Sequence, residues 1–97
     1  MARIVYSTEA LEDLDRIIEF LLARSAEAAG AALSQVQAAV SVLASHPQIG
    51  RRTDRLRREL VITHGATGYL ALYRYDVGRD VVRILRIRHQ REAGYRD

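Results

Sequence analysis

The last stretch of the chain gathers Arg86, Arg88, His89, Arg91 and Tyr95 within ten positions, and Arg74 stands a short way upstream. A guanidinium is a planar fork of N–H donors that grips a phosphate or a carboxylate in two parallel hydrogen bonds. A row of such forks suits RNA, DNA or an acidic peptide. If instead the cluster broke an RNA chain, Arg88, His89, Arg91 and Tyr95 would have to supply the cations and the proton donor or acceptor that attack by a 2′-hydroxyl requires. The plain alternative is a solvated outer sheet face on which arginine stems cover apolar surface. His89 at a strand end is equally well read as a structural histidine, and Tyr69, Tyr73 and Tyr75 as packing residues rather than base-stacking platforms.

Other chemistries lack their residues. The chain has no Cys, so disulfides, thiolate nucleophiles and Cys-based zinc sites are excluded. All fifteen basic residues are arginine, and without a lysine there is no phosphate-cradling G-x-x-x-x-G-K-[ST] loop. No G-x-G-x-x-G follows the first apolar run, so no nucleotide cofactor is expected. His46, His64 and His89 lie far apart with no partner at i+4, and no metal site is expected. Ser25, Ser34, Ser41 and Ser45 fall in or beside an Ala-rich helix, where capping suits them better than nucleophilic attack.

Charge divides the chain. Residues 1–48 hold three arginines against six acids, and residues 49–97 hold twelve against six. A basic half points to an acidic partner, although an arginine-only bias is also what genome composition imposes on a solvated surface. Ninety-seven residues with 48% hydrophobic content fit one folded domain, residues 1–97, with a single modest core. No apolar stretch approaches the ~18 residues of a membrane span, and the start of the chain has no signal-like apolar region. A cytoplasmic protein is expected.

The elements that must position these side chains follow from periodicity. Residues 3–6 read as a strand. Ser7 or Thr8 caps a helix over 8–24, whose apolar face is Leu11, Leu14, Ile17, Ile18, Leu21 and Leu22. Ser25 caps a second helix over 26–46, with a stripe of Ala29, Leu33, Val36, Val40 and Leu43 that stops before Pro47. Residues 46–51 form a turn-rich link. An antiparallel meander then covers 57–89, with runs at Glu59–His64, Tyr69–Asp76 and Val81–His89, a hairpin loop at Gly65–Gly68 and a turn at Val77–Arg79. Alternation puts Leu85 and Ile87 on one face of the last strand and Arg86 and Arg88 on the other, with Arg74 directed the same way. Residues 90–97 are a short polar tail. The fold class is α+β, ordered β-α-α-β-β-β, with the N-terminal strand and a helical hairpin packed on an antiparallel sheet.

With these elements in place, the sequence resembles the ParE/RelE superfamily of type II toxin–antitoxin toxins over nearly its whole length. The resemblance is carried by Ser7–Leu14 opening the first helix, by Leu43 and Pro47-Gln48-Ile49-Gly50-Arg51, and by Leu56-Arg57-Arg58-Glu59-Leu60. Gly68-Tyr69, Tyr73-Arg74-Tyr75, Val81–His89 and His89-Gln90-Arg91-Glu92 followed by Tyr95 complete it. It implies a toxin neutralised by a co-encoded antitoxin, whose acidic or amphipathic segment would wrap the toxin in a hetero-oligomer. The ParE-like branch implies inhibition of DNA gyrase by binding, with Arg74, Arg86, Arg88 and Arg91 as partner-binding residues. The RelE-like branch implies a ribosome-dependent mRNA endonuclease, using Arg88, His89, Arg91 and Tyr95. That branch commonly places cations on the middle strands, where this chain has Glu59-Leu60-Val61-Ile62 and Leu70. Link and strand motifs resemble the ParE-like branch more closely. A third implied outcome is a non-toxic module that only binds its antitoxin.

Overall fold

Ser7 ends the first strand and starts the first helix. Its extended backbone lets the hydroxyl accept the Ala10 N–H at 3.0 Å, as an N-cap side chain does. In the computed structural model, which describes residues 1–62 and 68–90, this gives β1 (Arg3–Tyr6) and then α1 (Thr8–Leu22). Ser25 caps α2 (Ala26–Val42) in the same manner, accepting from Ala28 N at 3.1 Å. The chain continues into β2 (Arg51–Arg52), β3 (Arg57–Val61), β4 (Tyr69–Asp76) and β5 (Val81–His89). The predicted Gly65–Gly68 loop falls, except for Gly68, outside the described residues, as does His64.

The five strands form one sheet in the order β1-β5-β4-β3-β2. The meander from β2 to β5 is antiparallel, but β1 lies parallel to β5, with Arg3 opposite Val81 and Tyr6 opposite Ile84. The sheet is therefore mixed rather than antiparallel throughout. The helical hairpin between β1 and the meander brings the chain back so that its two outermost sequence strands meet. The α+β class stands. It gains one two-residue strand, β2, where the turn-rich link expected over 46–51 ends, because Arg51 and Arg52 pair with Glu59 and Arg58.

Both helices end earlier than their composition suggests. α1 stops at Leu22 rather than 24. α2 stops at Val42 rather than 46, since Ala44 and Ser45 N–H groups donate to carbonyls three residues back and tighten the chain before Pro47. The largest fully buried side chains are Tyr73, Leu43, Ile84, Ile87, Val36 and Val82, so the core lies between the hairpin and one sheet face. In α1 the buried stripe is Ala10, Asp13 and Ile17, while Leu11 and Leu22 are exposed. In α2 Ala32 is buried and Leu33 only half-buried.

β5 departs from simple alternation. Leu72 pairs with Arg86 but Tyr73 pairs with Ile84, so Leu85 is an extra residue in a β-bulge. Ile87 is thereby buried in the core beside Val82 and Ile84, and Leu85 does not share its face as expected.

Candidate functional site

β1 pairs with β5 only as far as Tyr6, so beyond Ile84 the edge of β5 needs other partners. α1 provides them. Ser7 N–H donates to the Ile84 carbonyl at 2.9 Å and Ser7 Oγ to the Leu85 carbonyl at 2.8 Å. One turn on, the Asp13 carboxylate accepts the Ile87 N–H at 2.9 Å. It also accepts Arg86 Nε at 2.8 Å and Arg86 Nη2 at 3.1 Å, with Arg16 Nη2 at 3.3 Å. Burial opposes ionisation of Asp13, but the Arg86 hydrogen bond, the Ile87 N–H, the Arg86 charge and the Arg16 hydrogen bond together outweigh it. The carboxyl is held below its ordinary value.

Arg88 sits opposite Leu70 in the next outward-facing position. Its Nη2 lies 4.0 Å from Glu59 Oε2, and Arg51 Nη2 lies 2.8 Å from Glu59 Oε1. Glu59 is buried, so a carboxylate on β3 is held between Arg51 of the adjacent β2 and Arg88 of β5, which lies on the far side of β4. His89 turns to the other side and stacks edge-on against Tyr69, with ring centroids 5.3 Å apart. Burial raises the Tyr69 phenol above its usual value.

Arg74 belongs to a different neighbourhood. Across the sheet Arg57 lies opposite Arg74, and Arg74 opposite Arg83, all on the face away from the helices. With Arg3, Arg55 and Arg79 they line an open groove of about 680 Å³, whose remaining described walls are Asp54, Asp76, Leu56, Val81 and Leu85. Asp54 is committed. Arg57 Nε donates to Oδ2 at 2.7 Å, and the Leu56 and Arg57 N–H groups donate to Oδ1 at 2.9 Å. These bonds, the Arg57 side chain foremost, lower the Asp54 carboxyl to about 2. Asp76 Oδ1 accepts the Arg79 N–H at 3.2 Å in the turn between β4 and β5.

The arginines expected to form one row are thus distributed. Arg74, Arg86 and Arg88 share a sheet face, but Arg86 is bonded to Asp13 and Arg88 faces Glu59, whereas Arg74 stands in the groove. His89 is on the opposite face, and Arg91 and Tyr95 lie outside the described residues. Sequence reasoning missed Asp13. Its signal was its place, i+3 from Ala10 and i−4 from Ile17 on the buried stripe. It also missed Arg3, Arg55, Arg57, Arg79 and Arg83. Among the described residues no three His, Cys, Asp or Glu side chains are grouped to hold a metal, and no helix is long and apolar enough to cross a membrane.

Comparison with known proteins gives these features a family context. The model of the family described as the ParE toxin of the type II toxin–antitoxin system, parDE, matches residues 4–94. Toxin RelE3 of Caulobacter vibrioides is 37% identical over 92 residues, spanning 95% of this chain and 98% of the relative. Toxin RelE2 of the same organism is 34% identical over 89 residues, spanning 92% and 96%. Among solved structures, the toxin–antitoxin complex RelBE2 from Mycobacterium tuberculosis contains a chain that matches with a TM-score of 0.62 at 22% identity, covering 94% of this chain and 93% of that one. At that identity the likeness speaks to the fold.

Proposed function

The chain belongs to the ParE toxin family of type II toxin–antitoxin systems, within the ParE/RelE superfamily, and from that premise we propose that it disables DNA gyrase by binding, in the cytoplasm, until a co-encoded antitoxin covers it. The observation that carries this reading is Glu59. Cleaving RNA through its 2′-hydroxyl needs cations around the developing phosphorane charge. Here the middle strand presents a buried carboxylate at that end of the sheet, already engaged by Arg51 and facing Arg88. Arg86 is likewise engaged by Asp13. A toxin that works by docking needs no such cations. The match to the ParE family model supports the same choice. An antitoxin partner is supported by the structural neighbour, a chain of a toxin–antitoxin complex, and by the excess of arginine in residues 49–97.

A second reading is favoured by the relatives, which carry the name RelE. On it the protein is a ribosome-dependent mRNA endonuclease with Arg88, His89, Arg91 and Tyr95 at its site. The two are separated by expressing the chain without antitoxin. Gyrase poisoning gives filamentous cells, a DNA-damage response and loss of supercoiling by purified gyrase. Endonuclease action stops translation within minutes, cuts ribosome-bound transcripts and is abolished by Tyr95→Phe. Intact supercoiling in the presence of a toxic protein overturns the gyrase reading. Soluble expression with normal growth overturns both and leaves an antitoxin-binding module.

A further inference from the structure

The groove on the outer sheet face opposes charges of one sign without neutralising them. Adjacent strands in a sheet run about 5 Å apart, and Arg57, Arg74 and Arg83 occupy directly opposed positions on β3, β4 and β5. Like charges so placed are destabilising. Asp54 answers only Arg57. Arg3, Arg55, Arg74, Arg79 and Arg83 are exposed and make no ion pair with any described residue. An arrangement of this kind is relieved by an anionic ligand. We infer that the groove is a sequence-independent docking surface for the phosphate backbone of double-stranded DNA.

The chemistry of the lining selects this occupant. The groove lies on a sheet face, where the backbone N–H and C=O groups of β4 are already used by β3 and β5 on either side. A peptide laid there gains no main-chain hydrogen bonds, which are the source of affinity in strand addition. It would meet the surface through its acidic side chains alone. A nucleic-acid backbone offers a phosphate at every residue, and each one accepts a bidentate guanidinium. No aromatic residue lines the groove among the described residues. Single strands are ordinarily held by stacking bases on such rings, so a duplex, whose bases are already stacked, fits better. Among the described residues the lining also has no Ser, Thr, Asn or Gln side chain to read a ribose 2′-hydroxyl. The inference does not depend on which macromolecule the toxin disables.

The test is direct binding of the purified chain to a fluorescent DNA duplex of arbitrary sequence, with neither gyrase nor ribosome present, across about 50 to 200 mM salt. Neutralising a phosphate contributes about −0.9 to the slope of log K against log salt, so five arginines give a slope of about −4.5. Arg74→Gln with Arg83→Gln reduces its magnitude by about 2, and Arg55→Gln with Arg79→Gln, in the loops, does the same. Arg24→Gln, whose guanidinium lies over the Phe20 ring at the helical end, leaves the slope unchanged. Circular-dichroism melts establish that each variant is folded. A wild-type slope shallower than about −1, an unchanged slope in both double variants, tighter binding to single strands or to duplex RNA, or equal binding to polyglutamate each overturns the inference.

Discussion

Removing the Asp13 carboxylate tests whether α1 and β5 are joined by charge or merely by packing. Asp13 is 4% exposed and takes bonds from Arg86, Ile87 N–H and Arg16. In Asp13→Ala the Ile87 N–H loses its acceptor, a loss of about 1–3 kcal/mol when the group stays buried. Arg86, whose side chain is 18% exposed, loses its counter-charge. Breaking a buried pair from one side costs about 3–5 kcal/mol. The two losses overlap, because Arg86 can swing outward and admit water to Ile87, so the expected total is about 3–4 kcal/mol. For a chain of this length that lowers the melting temperature by roughly 12–30 °C. Asp13→Asn keeps an oxygen for Ile87 and loses only the charge, and is expected to cost about 1–2 kcal/mol. The pH dependence has a fixed sign. The folded carboxyl titrates below its ordinary value, so its stabilisation is complete above the unfolded value near ~3.9 and disappears as pH falls through the folded one. Urea unfolding of wild type and Asp13→Asn at a series of pH values should show a gap that is constant near neutrality and closes below about pH 4. A cost for Asp13→Ala under about 0.5 kcal/mol, or a gap that persists unchanged in acid, would refute the charge lock.

Two further outcomes follow from close contacts. A Cβ on Gly50 would stand 2.6 Å from Tyr73 Cε1 and Oη and 2.9 Å from the Glu59 carbonyl. The Tyr73 hydroxyl also accepts the Gly50 N–H at 2.9 Å. Gly50→Ala is therefore expected to lose about 2–3 kcal/mol in denaturant unfolding through overpacking, and wild-type stability in that variant would show that the link to β2 yields. Because Arg57 holds the Asp54 carboxyl at about 2, Arg57→Gln should raise the Asp54 titration seen by carboxyl NMR toward the ordinary range of about 3.9. An unshifted midpoint would place the cause in the Leu56 and Arg57 backbone N–H groups alone.

The spans of β4 and β5 and both helix caps were legible because each rests on a local signal. Those signals are the alternation of Tyr69, Ala71, Tyr73 and Tyr75 ahead of Val77-Gly78, and Ser7 and Ser25 ahead of apolar stripes. β2 was not legible, since two arginines have no period and become a strand only when Glu59 and Arg58 arrive opposite them. The parallel seating of β1 escaped notice for the same reason. The ion pairs of the site join residues as far apart as Asp13 and Arg86, and no window along the chain contains both. The groove has a similar origin, since Arg3, Arg57, Arg74 and Arg83 come from four strands and meet only through register.

The bulge at Leu85 decides what those arginines can do. Val82 and Ile84 point into the core, which puts Arg83 outward. Strict alternation from that point would turn Arg86 and Arg88 inward and Ile87 outward, because a one-residue slip exchanges the faces of every later side chain. Two guanidiniums would then lie under the helices, where an unpaired charge cannot be accommodated at tolerable free energy. One extra residue reverses this. Ile87 enters the core, and Arg86 and Arg88 emerge on the outer face within reach of Asp13 and Glu59. The arginines of β5 are thereby sorted. Beyond the bulge they are matched to internal carboxylates and help hold α1 and β3 in place. Before it, Arg83 joins Arg74 and Arg57 in a groove with more positive charge than its own acids balance. The extra residue is what keeps this sorting compatible with the pairing to β4: were Leu85 deleted, Arg86 would follow Ile84 directly and alternation alone would still leave Arg86 and Arg88 outward and Ile87 in the core. The deletion would instead remove the Leu85 carbonyl that Ser7 Oγ bonds, and with it one of the contacts that seal the edge of β5.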